Sequence, residues 1–321
     1  MILITEHLEP QSLHWLEQRA TCHYDPELAQ NPKLIQAFLG NASGLIVRNK
    51  TKVSEELLQH APKLQVVGRL GVGLDNLELA ALATRSITAV YAPGANANAV
   101  AELSVLFMLA HLRKLLLADR SARQGIWARE SIAGRELQGK VVGIVGLGAV
   151  GRRLAELCQA LGCRVNVHTR SNHHGFPALT LEELLASSDF ISLNVPLTPQ
   201  TEKLIGAREL ALLQPHAYIL NTARGAVVDE AALYQVLKEG RIGGAALDVR
   251  SQEPPGKEDP FAALDNVILT PHLGGWTLEA QDAVCQMVVE DVWRVLEGLA
   301  PRCPVPGLNF VSAESERLIS N

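Results

Sequence analysis

The chain has 321 residues, of which 47% are hydrophobic and 20% charged, and its net charge is −5 at neutral pH. This composition is typical of a globular protein with sizeable cores, and the lack of a basic block argues against nucleic acid or an anionic membrane as a partner. No apolar run reaches the roughly 18 residues of a transmembrane helix, and five scattered cysteines without a C-x-x-C motif predict reduced thiols in the cytoplasm.

The first part of the chain alternates between short apolar runs, which predict strands, and amphipathic segments, which predict helices. Strands are predicted at residues 1–5, 44–48, 65–70 and 88–91, and helices at 10–20, 54–60 (with Ser54 as N-cap) and 77–83. This order predicts a parallel sheet covered by helices. The small, turn-prone residues 94–99 precede a long apolar helix, predicted at 100–117, and indicate a junction between domains.

A glycine pattern in the middle of the chain is its most informative feature. Gly146, Gly148 and Gly151 form G-x-G-x-x-G between an apolar strand-like run and a helical run, Arg152–Leu161. In that context the first glycine permits a tight turn, the second lets the backbone approach a pyrophosphate, and the third lets helix and strand pack closely. The pattern predicts dinucleotide binding, with a purely structural turn as the alternative.

After the glycine pattern the alternation resumes. Strands are predicted at residues 164–168, 190–195, 217–221, 244–249 and 267–270, and helices at 181–187, 207–213, 230–239 and 278–296. Ligands of open parallel sheets bind outside the carboxyl ends of the strands. Four features follow such ends: Arg48, residues 70–73, Arg224 and His272. We predict an α/β protein with two doubly wound parallel-sheet domains, residues 1–97 plus 277–321 and residues 98–276.

Three polar residues in the second half of the chain suggest chemistry at a carbonyl. Arg224 offers a rigid, two-pronged donor for a carboxylate, although a salt bridge with Asp229 at a helix start is an equal alternative. Glu253 would pair with His272 and favour its protonated form, so that the histidine can donate and accept a proton near neutrality. Each residue alone is weak evidence for a function. Together, downstream of the glycine pattern, the three residues predict hydride transfer at a carbonyl beside a carboxylate.

Five ordered motifs resemble those of the D-isomer-specific 2-hydroxyacid dehydrogenase family. They are VGLGAVG at 145–151, LTPQT at 197–201, NTARGAVVD at 221–229, TPHLGGWT at 270–277 and PVPGLN at 304–309. The resemblance implies two Rossmann-like domains with the active site in the cleft between them, the first domain being completed by the C-terminal tail. It also implies a homodimer, in contact through the helix at 100–117 and the arm at 127–139. Asn194 departs from the family, in which many members have histidine.

The resemblance also assigns roles to matching residues. It implies that Arg224 binds the carboxylate and keto oxygen of the substrate and that His272 is the general acid in reduction and the general base in oxidation. Glu253 would hold His272, and Asp248 would face the nicotinamide carboxamide. The remaining cofactor contacts would be Gly146, Leu147, Gly148, Ala149, Val150, Gly151, Val195, Pro196, Thr201, Thr222, Ala223 and Gly274, besides Arg224 and His272 themselves.

Substrate contacts follow from the same resemblance. The backbone N–H groups of Leu70, Gly71, Val72 and Gly73 would cradle the substrate carboxylate as a nest, with Asn96 nearby. Trp276 stands where a small residue is frequent; it would shape the substrate pocket or pack against the closing helix. Arg48 lies in a stretch similar to phosphoglycerate dehydrogenases, so it would hold a second anion such as phosphate or sulfonate, or serve only as a charge at the cleft edge.

The end of the second strand of the dinucleotide domain bears on the cofactor. An NAD site usually has Asp or Glu there, to accept from the ribose 2′-hydroxyl. Here Thr169 takes that position, and Arg170 with Ser171 follows, which suits a 2′-phosphate. The sequence therefore predicts NADP(H), with NAD as the alternative. No metal site is predicted, because the nearby histidines lack a Cys, Asp or Glu to complete a ligand set.

These inferences predict an NADP(H)-dependent oxidoreductase that interconverts a small 2-oxoacid and a D-2-hydroxyacid, as a hydroxypyruvate or glyoxylate reductase. The first alternative is an NAD-dependent dehydrogenase of a 2-hydroxyacid with a second anion, 3-phosphoglycerate or sulfolactate. A non-enzymatic alternative is a nucleotide-sensing, corepressor-like interaction protein, which the intact Arg–Glu–His set disfavours. A formate dehydrogenase is disfavoured because that relative should have an amide in place of Glu253.

Overall fold

The computed structural model describes residues 1–170 and 173–308. The chain forms two compact units, Met1–Asn96 together with the chain from Leu278 onward, and Ala97–Thr277. Each unit contains one sheet of parallel strands with helices packed on it. The predicted α/β class with two parallel sheets is confirmed.

The strands are short and mostly coincide with the apolar runs of the sequence. They are β1 (Ile2–Ile4), β2 (Cys22–Tyr24), β3 (Gly44–Val47), β4 (Val66–Arg69), β5 (Thr88–Val90), β6 (Val141–Val145), β7 (Arg164–His168), β8 (Phe190–Leu193), β9 (Tyr218–Asn221), β10 (Gly244–Leu247) and β11 (Val267–Leu269). The helices are α1 (Pro10–Glu17), α2 (Pro32–Leu39), α3 (Glu55–Leu58), α4 (Leu79–Thr84), α5 (Ala97–Leu112), α6 (Leu115–Arg123), α7 (Ala149–Ala160), α8 (Leu181–Ser187), α9 (Ala207–Leu210), α10 (Glu230–Lys238) and α11 (Leu278–Leu296).

The first unit is built on a five-stranded sheet in the order β2-β1-β3-β4-β5. The closing helix α11 packs on this sheet, and it does so at Gly68, where a Cβ atom would lie 2.6 Å from a methyl group of Val292. Only glycine permits that approach. The segment after α11 runs antiparallel to the edge strand β5, and the N–H of Val305 donates to the carbonyl of Ala89 at 2.8 Å.

The second unit is built on a six-stranded sheet in the order β11-β10-β9-β8-β6-β7. The chain goes from β6 outward to β7 and then returns to β8 on the other side of β6, so the strand order reverses between β6 and β8. One apolar core joins the strands to α5 and α7, and another joins them to α8, α9 and α10. Ligands of doubly wound sheets bind where the strand order reverses.

Several local predictions need correction. The helix predicted at 100–117 is two helices, because Lys114 adopts a left-handed conformation with φ of 48°. The N–H of Arg135 donates to the carbonyl of Leu112 at 2.9 Å, so this acceptor serves the following loop. The short edge strand β2 and the helix α2 were missed. Ser54 is the N-cap of α3, as predicted, and accepts from the N–H of Leu57 at 3.3 Å.

Within residues 1–170 and 173–308, none of the helices combines the length and the apolar character required to cross a lipid bilayer.

Candidate active site

Three candidate residues follow strands at one edge of the second unit's sheet. Arg224 lies just beyond β9, Asp248 directly follows β10, and His272 lies just beyond β11. These strands are adjacent and parallel, so their carboxyl ends lie at the same edge. The fold therefore brings together residues that are far apart in the sequence.

Glu253 and His272 form a hydrogen-bonded pair. The Nδ1 atom of His272 lies 2.7 Å from Oε2 of Glu253, and Oε1 of Glu253 accepts the N–H of Arg250 at 3.0 Å. Partial burial would raise the pKa of Glu253, but the hydrogen bonds from His272 and Arg250 and the nearby charge of Arg224 lower it below the ordinary value of a glutamate. Glu253 is thus a carboxylate at neutral pH, placed to stabilise a protonated His272.

The turn that carries His272 is held by a buried carboxylate. Asp248 is 1% exposed, and it accepts the hydroxyl of Thr270 at 2.6 Å and the N–H groups of Leu273 and Gly274 at 2.7 and 2.8 Å. His272 has φ of 56°, and its N–H donates to the carbonyl of Asp248 at 2.8 Å. This left-handed conformation costs a non-glycine residue on the order of 1–2 kcal/mol, which these contacts offset. The sequence motif suggested a cofactor contact for Asp248 and missed its role in the turn.

Arg224 is placed by a braced turn after β9. The buried Asn221 side chain donates to the carbonyl of Arg224 at 3.0 Å and accepts the N–H of Ala223 at 3.1 Å. Asp229, the alternative partner of Arg224, caps α10 and lies 3.3 Å from the ammonium group of Lys203. The positive charge of Arg224 is close enough to help lower the pKa of Glu253. Arg224, Glu253 and His272 therefore form one electrostatic cluster.

The glycine pattern forms a tight turn between β6 and α7. Gly146 has φ of 94°, and a Cβ atom there would lie 2.6 Å from the carbonyl oxygen of Asn194. At Gly151 a Cβ atom would lie 2.1 Å from the carbonyl oxygen of Gly146, which no side chain could tolerate. Gly148 is the N-cap of α7, and a Cβ atom there would face open space. This arrangement leaves room for a phosphate group at the start of the helix.

Two buried polar atoms next to this turn also fit a dinucleotide. Within the described parts of the chain, Oδ1 of Asn194 and Oγ1 of Thr222 find no hydrogen-bond partner. They follow β8 and β9, at the edge where Gly146 lies. Buried polar groups without partners are rare and suggest a missing ligand or water. Thr201 differs: its hydroxyl donates to the carbonyl of Pro196 at 2.6 Å and is used within its own turn.

The remaining predicted cofactor residues line the same edge. Leu147 is buried, Ala149 and Val150 open α7, and Val195 and Pro196 follow β8. Ala223 lies in the turn before Arg224, and a Cβ atom at Gly274 would lie 3.0 Å from the Asp248 carboxylate.

The end of β7, where the choice of cofactor was argued, is only partly described. Thr169 and Arg170 directly follow the strand, and the side chain of Arg170 is exposed. Ser171 lies outside the described residues. No group of three or more His, Cys, Asp or Glu side chains among the described residues could hold a metal ion.

The predicted substrate residues of the first unit lie after its strands. Leu70, Gly71, Val72 and Gly73 follow β4; Leu70 is buried and Gly71 has φ of 145°. Asn96, at the end of this part of the chain, is half-buried.

Arg48 follows β3 and contacts groups of its own unit. Its Nε donates to the carbonyl of His7 at 3.1 Å, Nη1 donates to Oε1 of Gln281, and Nη2 lies 3.5 Å from the sulfur of Cys285. Its guanidinium therefore already holds α11 against the strand end.

Trp276 lines a groove in the second unit. The groove has a volume of about 440 Å³ and is walled by Leu103 and Leu106 of α5 and by Leu273, next to His272. Trp276 itself is 55% exposed.

A parallel sheet with a tight glycine turn where the strand order reverses is the architecture of a dinucleotide-binding domain. The model of the family described as D-isomer specific 2-hydroxyacid dehydrogenase, NAD binding domain, matches residues 105–274. The chain therefore belongs to the D-isomer specific 2-hydroxyacid dehydrogenase family.

Individual relatives carry two kinds of name. D-3-phosphoglycerate dehydrogenase of Archaeoglobus fulgidus is 41% identical over 264 residues, which are 80% of this chain and 50% of that protein. Glyoxylate reductase of Thermococcus litoralis is 35% identical over 318 residues, which are 94% of this chain and 95% of that protein. This chain spans about half the length of the phosphoglycerate dehydrogenases that it matches.

A solved structure matches over nearly the whole chain. It is the NADPH-dependent glyoxylate/hydroxypyruvate reductase of Sinorhizobium meliloti in complex with NADP and malonate, which is 30% identical. The TM-score is 0.87, and the match covers 96% of this chain and 97% of that one. The family and its nicotinamide cofactor are thus established for this chain, whereas the names of the relatives divide between two substrates.

Proposed function

We propose that this protein is an NADP(H)-dependent oxidoreductase that interconverts a small 2-oxoacid and the corresponding D-2-hydroxyacid, acting as a hydroxypyruvate or glyoxylate reductase. The observation that carries the proposal is the 2.7 Å contact between His272 and Glu253 at the strand edge that also carries Arg224. An acid–base pair beside an arginine suits a substrate with a carbonyl next to a carboxylate.

In the reduction direction, Arg224 would bind the substrate carboxylate and polarise the neighbouring keto oxygen. A bound reduced nicotinamide would supply the hydride to the carbonyl carbon. His272 would donate its proton to the oxygen that becomes the hydroxyl group, and Glu253 would stabilise the protonated imidazole beforehand. In the oxidation direction His272 would accept the proton from the hydroxyl group. The lowered pKa of Glu253 keeps this carboxylate charged throughout the cycle near neutral pH.

The choice of NADP(H) is supported by charge at the end of β7. No acidic residue follows the strand directly; Thr169 and the exposed Arg170 do. A carboxylate at that point would repel a 2′-phosphate, whereas a guanidinium pairs with it. The S. meliloti relative, described as NADPH-dependent, gives independent support.

A second candidate is an NAD-dependent dehydrogenase of 3-phosphoglycerate or another 2-hydroxyacid with a second anion, and the names of the more identical relatives favour it. Arg48 would then have to hold the second anion. Its contacts with His7, Gln281 and Cys285 favour the first candidate, because an anion would have to displace them.

The test is a side-by-side assay of NADPH and NADH consumption with hydroxypyruvate, glyoxylate, phosphohydroxypyruvate and sulfopyruvate. We expect turnover with NADPH and the first two acids. Turnover mainly with NADH and a phosphorylated or sulfonated acid would support the second candidate instead. His272→Asn should abolish turnover and leave cofactor binding intact; near-normal turnover in that variant would refute the assigned role. A nucleotide-sensing interaction protein would bind cofactor without turning over any 2-oxoacid.

We further propose a homodimer and a cytoplasmic location. The homodimer is supported by apolar side chains that are more than a third exposed on α5, on α6 and on the segment that follows. The location is supported by the five cysteines, all within the described residues, none of which forms a disulfide.

A further inference from the structure

Arg250 is a charged residue in a largely buried position. It follows Asp248 by two residues, and its side chain is only 9% exposed. Burying an arginine is costly unless its charge is paired and its N–H groups are hydrogen-bonded. Two carboxylates, those of Glu230 and Asp259, meet this requirement here, with exposures of 20% and 10%.

The contacts of the Arg250 guanidinium are those of a clamp. Its Nε and Nη2 atoms lie 3.3 and 3.2 Å from the two oxygens of Glu230, a two-pronged pairing, and Nη1 donates to Asp259. The guanidinium also stacks over the ring of Phe261, 4.6 Å from its centre. Glu230 is the first residue of α10, so the clamp attaches the chain to a helix of the unit's core.

The clamp fixes both ends of the loop that carries Glu253. At the start of the loop, Glu230 also accepts the N–H of Ser251 at 2.7 Å, and at its end Asp259 caps the short 3-10 turn Pro260–Ala263. The Arg250 backbone is packed against the turn of Arg224 as well, since a Cβ atom at Gly225 would lie 1.9 Å from the carbonyl carbon of Arg250. The peptide of Arg250 therefore cannot move without disturbing the neighbouring turn.

The backbone N–H of Arg250 donates to Oε1 of Glu253 at 3.0 Å, and Oε2 of the same carboxylate holds Nδ1 of His272 at 2.7 Å. We propose that Arg250 is a positioning residue: its side-chain clamp fixes the N–H that orients Glu253 and, through Glu253, the imidazole of His272. This inference rests on the proposed function and adds a residue to the site that no sequence motif indicated.

The test compares Arg250→Met with Glu253→Gln and with the double variant in the reduction assay. Weakening a hydrogen bond to a charged group costs about 10–100-fold in an equilibrium or a rate, so kcat of Arg250→Met should fall by about that factor. The KM for the cofactor should change by less than about twofold, because the glycine turn is untouched. If Arg250 acts through Glu253, the double variant should be no slower than Glu253→Gln alone.

The pH profile separates positioning from a general loss of structure. Reduction requires a protonated His272, and a misplaced Glu253 stabilises that form less. The alkaline limb of the kcat profile should therefore move to lower pH in Arg250→Met. Arg250→Lys keeps the charge without the two-pronged geometry, so it should lose less kcat and shift the alkaline limb in the same direction. If Arg250→Met does not fold, Arg250→Lys provides the test in its place. Arg241→Met is the matched control, an exposed arginine 3.9 Å from Glu239 in the same unit, and should match wild type.

The outcomes are distinguishable. Suppose that both Arg250 variants show a normal kcat and an unchanged alkaline limb, whereas Glu253→Gln is slow. That result would overturn the role proposed for Arg250 and leave the proposed function standing. Losses that multiply in the double variant would do the same, because they would mean that Arg250 acts independently of Glu253. A wild-type protein that turns over no 2-oxoacid, or a Glu253→Gln variant as fast as wild type, would overturn the proposed function and this inference with it.

Discussion

Glu6 is a buried carboxylate that shapes the loop after β3. It is 3% exposed and accepts the backbone N–H groups of Arg48, Asn49, Lys50 and Thr51 at 2.9–3.1 Å. Burial would raise its pKa, but the four backbone hydrogen bonds lower it below the ordinary value. Successive N–H groups that converge on one anion are a common anion-binding device in loops. Here the anion is part of the chain, so this loop is already occupied.

Glu6→Gln should lower the free energy of unfolding by about 2–4 kcal/mol at neutral pH, since hydrogen bonds to a charged group are lost and an amide N–H₂ then faces backbone donors. The folded pKa of Glu6 is depressed, so its contribution is fully present above the unfolded pKa of about 4.3 and is lost as the pH falls through the folded value. Urea unfolding should therefore show a large difference between variant and wild type at pH 7 and a smaller one near pH 3.5.

The exposed Glu56→Gln is the control for this comparison and should lie within about 0.5 kcal/mol of wild type at either pH. A Glu6→Gln difference that is equally large at both pH values would mean that packing, and not the charge, supplies the stabilisation.

Individual residues of the site differ in how far the sequence could reveal them. Arg224 and His272 could be proposed because each lies two or three residues beyond a predicted strand, which is a local pattern. Glu6 and Arg250 could not, because their partners lie outside any local pattern: Glu6 bonds to residues more than 40 positions away. A buried ion pair, or a set of backbone N–H groups that binds a carboxylate, depends on which loops lie next to each other. Only the folded chain specifies these neighbours.

The elements α5 and α6 show how a local pattern can mislead. Both are rich in leucine and alanine, so the sequence favours one continuous helix. The interruption at Lys114 depends on the loop near Arg135, whose N–H takes the Leu112 carbonyl. The helix α2, in contrast, has a local signal in the sequence: Asn31 caps it and Pro32 opens it.

The end of α5 also carries a histidine whose protonation should affect folding. The ring of His111 packs against that of Tyr218 in β9 at an interplanar angle of 33°, with 3.9 Å between the ring centres, and meets Phe190 of β8 edge-on. Burial lowers the pKa of His111 to about 4. Because the unfolded chain binds this proton near pH 6.5 and the folded chain does not, the free energy of unfolding should fall as the pH drops from about 6.5 towards 4.

His111→Phe should keep the aromatic packing and remove this proton. Between pH 7 and pH 5 the wild-type protein should lose about 1–2 kcal/mol more stability than the variant, as measured by urea unfolding at each pH. His60→Gln, on the exposed surface of the first unit, should retain the wild-type pH dependence. An identical slope in His111→Phe and wild type would show that α5 tolerates a charged imidazole at this position.

For the whole chain, the two parallel sheets could be predicted because alternating strands and helices can bury their apolar residues in few ways. The strand orders could not be derived in the same way, since the described strands have at most five residues, most of them are apolar, and many registers would satisfy the pattern. Small residues decide some of these choices: Gly68 permits α11 to lie on the first sheet, and Gly151 permits α7 to lie against β6. The alternation of strands and helices thus predicts two parallel sheets, whereas close contacts at single residues specify how helices pack on those sheets.

The proposed homodimer follows from the apolar surface of the second unit. Within the described stretch 106–127, which covers part of α5, all of α6 and the segment that follows, seven large apolar side chains are more than a third exposed: Leu106, Leu109, Leu115, Leu116, Leu117, Ile126 and Trp127. Trp127 is the extreme case, at 87% exposed, and a surface of this kind is costly in water unless another surface covers it. A second copy of the chain is the proposed cover, and the wild-type protein should then scatter light as twice the 34.7 kDa chain mass.

Leu116→Asp combined with Trp127→Ser should dissociate this dimer, because a charge placed in an apolar interface and the loss of apolar area there together cost several kcal/mol, which is at least about a hundredfold in the dissociation constant. Light scattering over a range of concentrations measures that change directly. Leu34→Asp places the same charge on an exposed leucine of α2 and should leave the mass unchanged. If the double variant is still a dimer, the interface lies on another surface. If the wild-type protein is a monomer, the proposed homodimer is wrong.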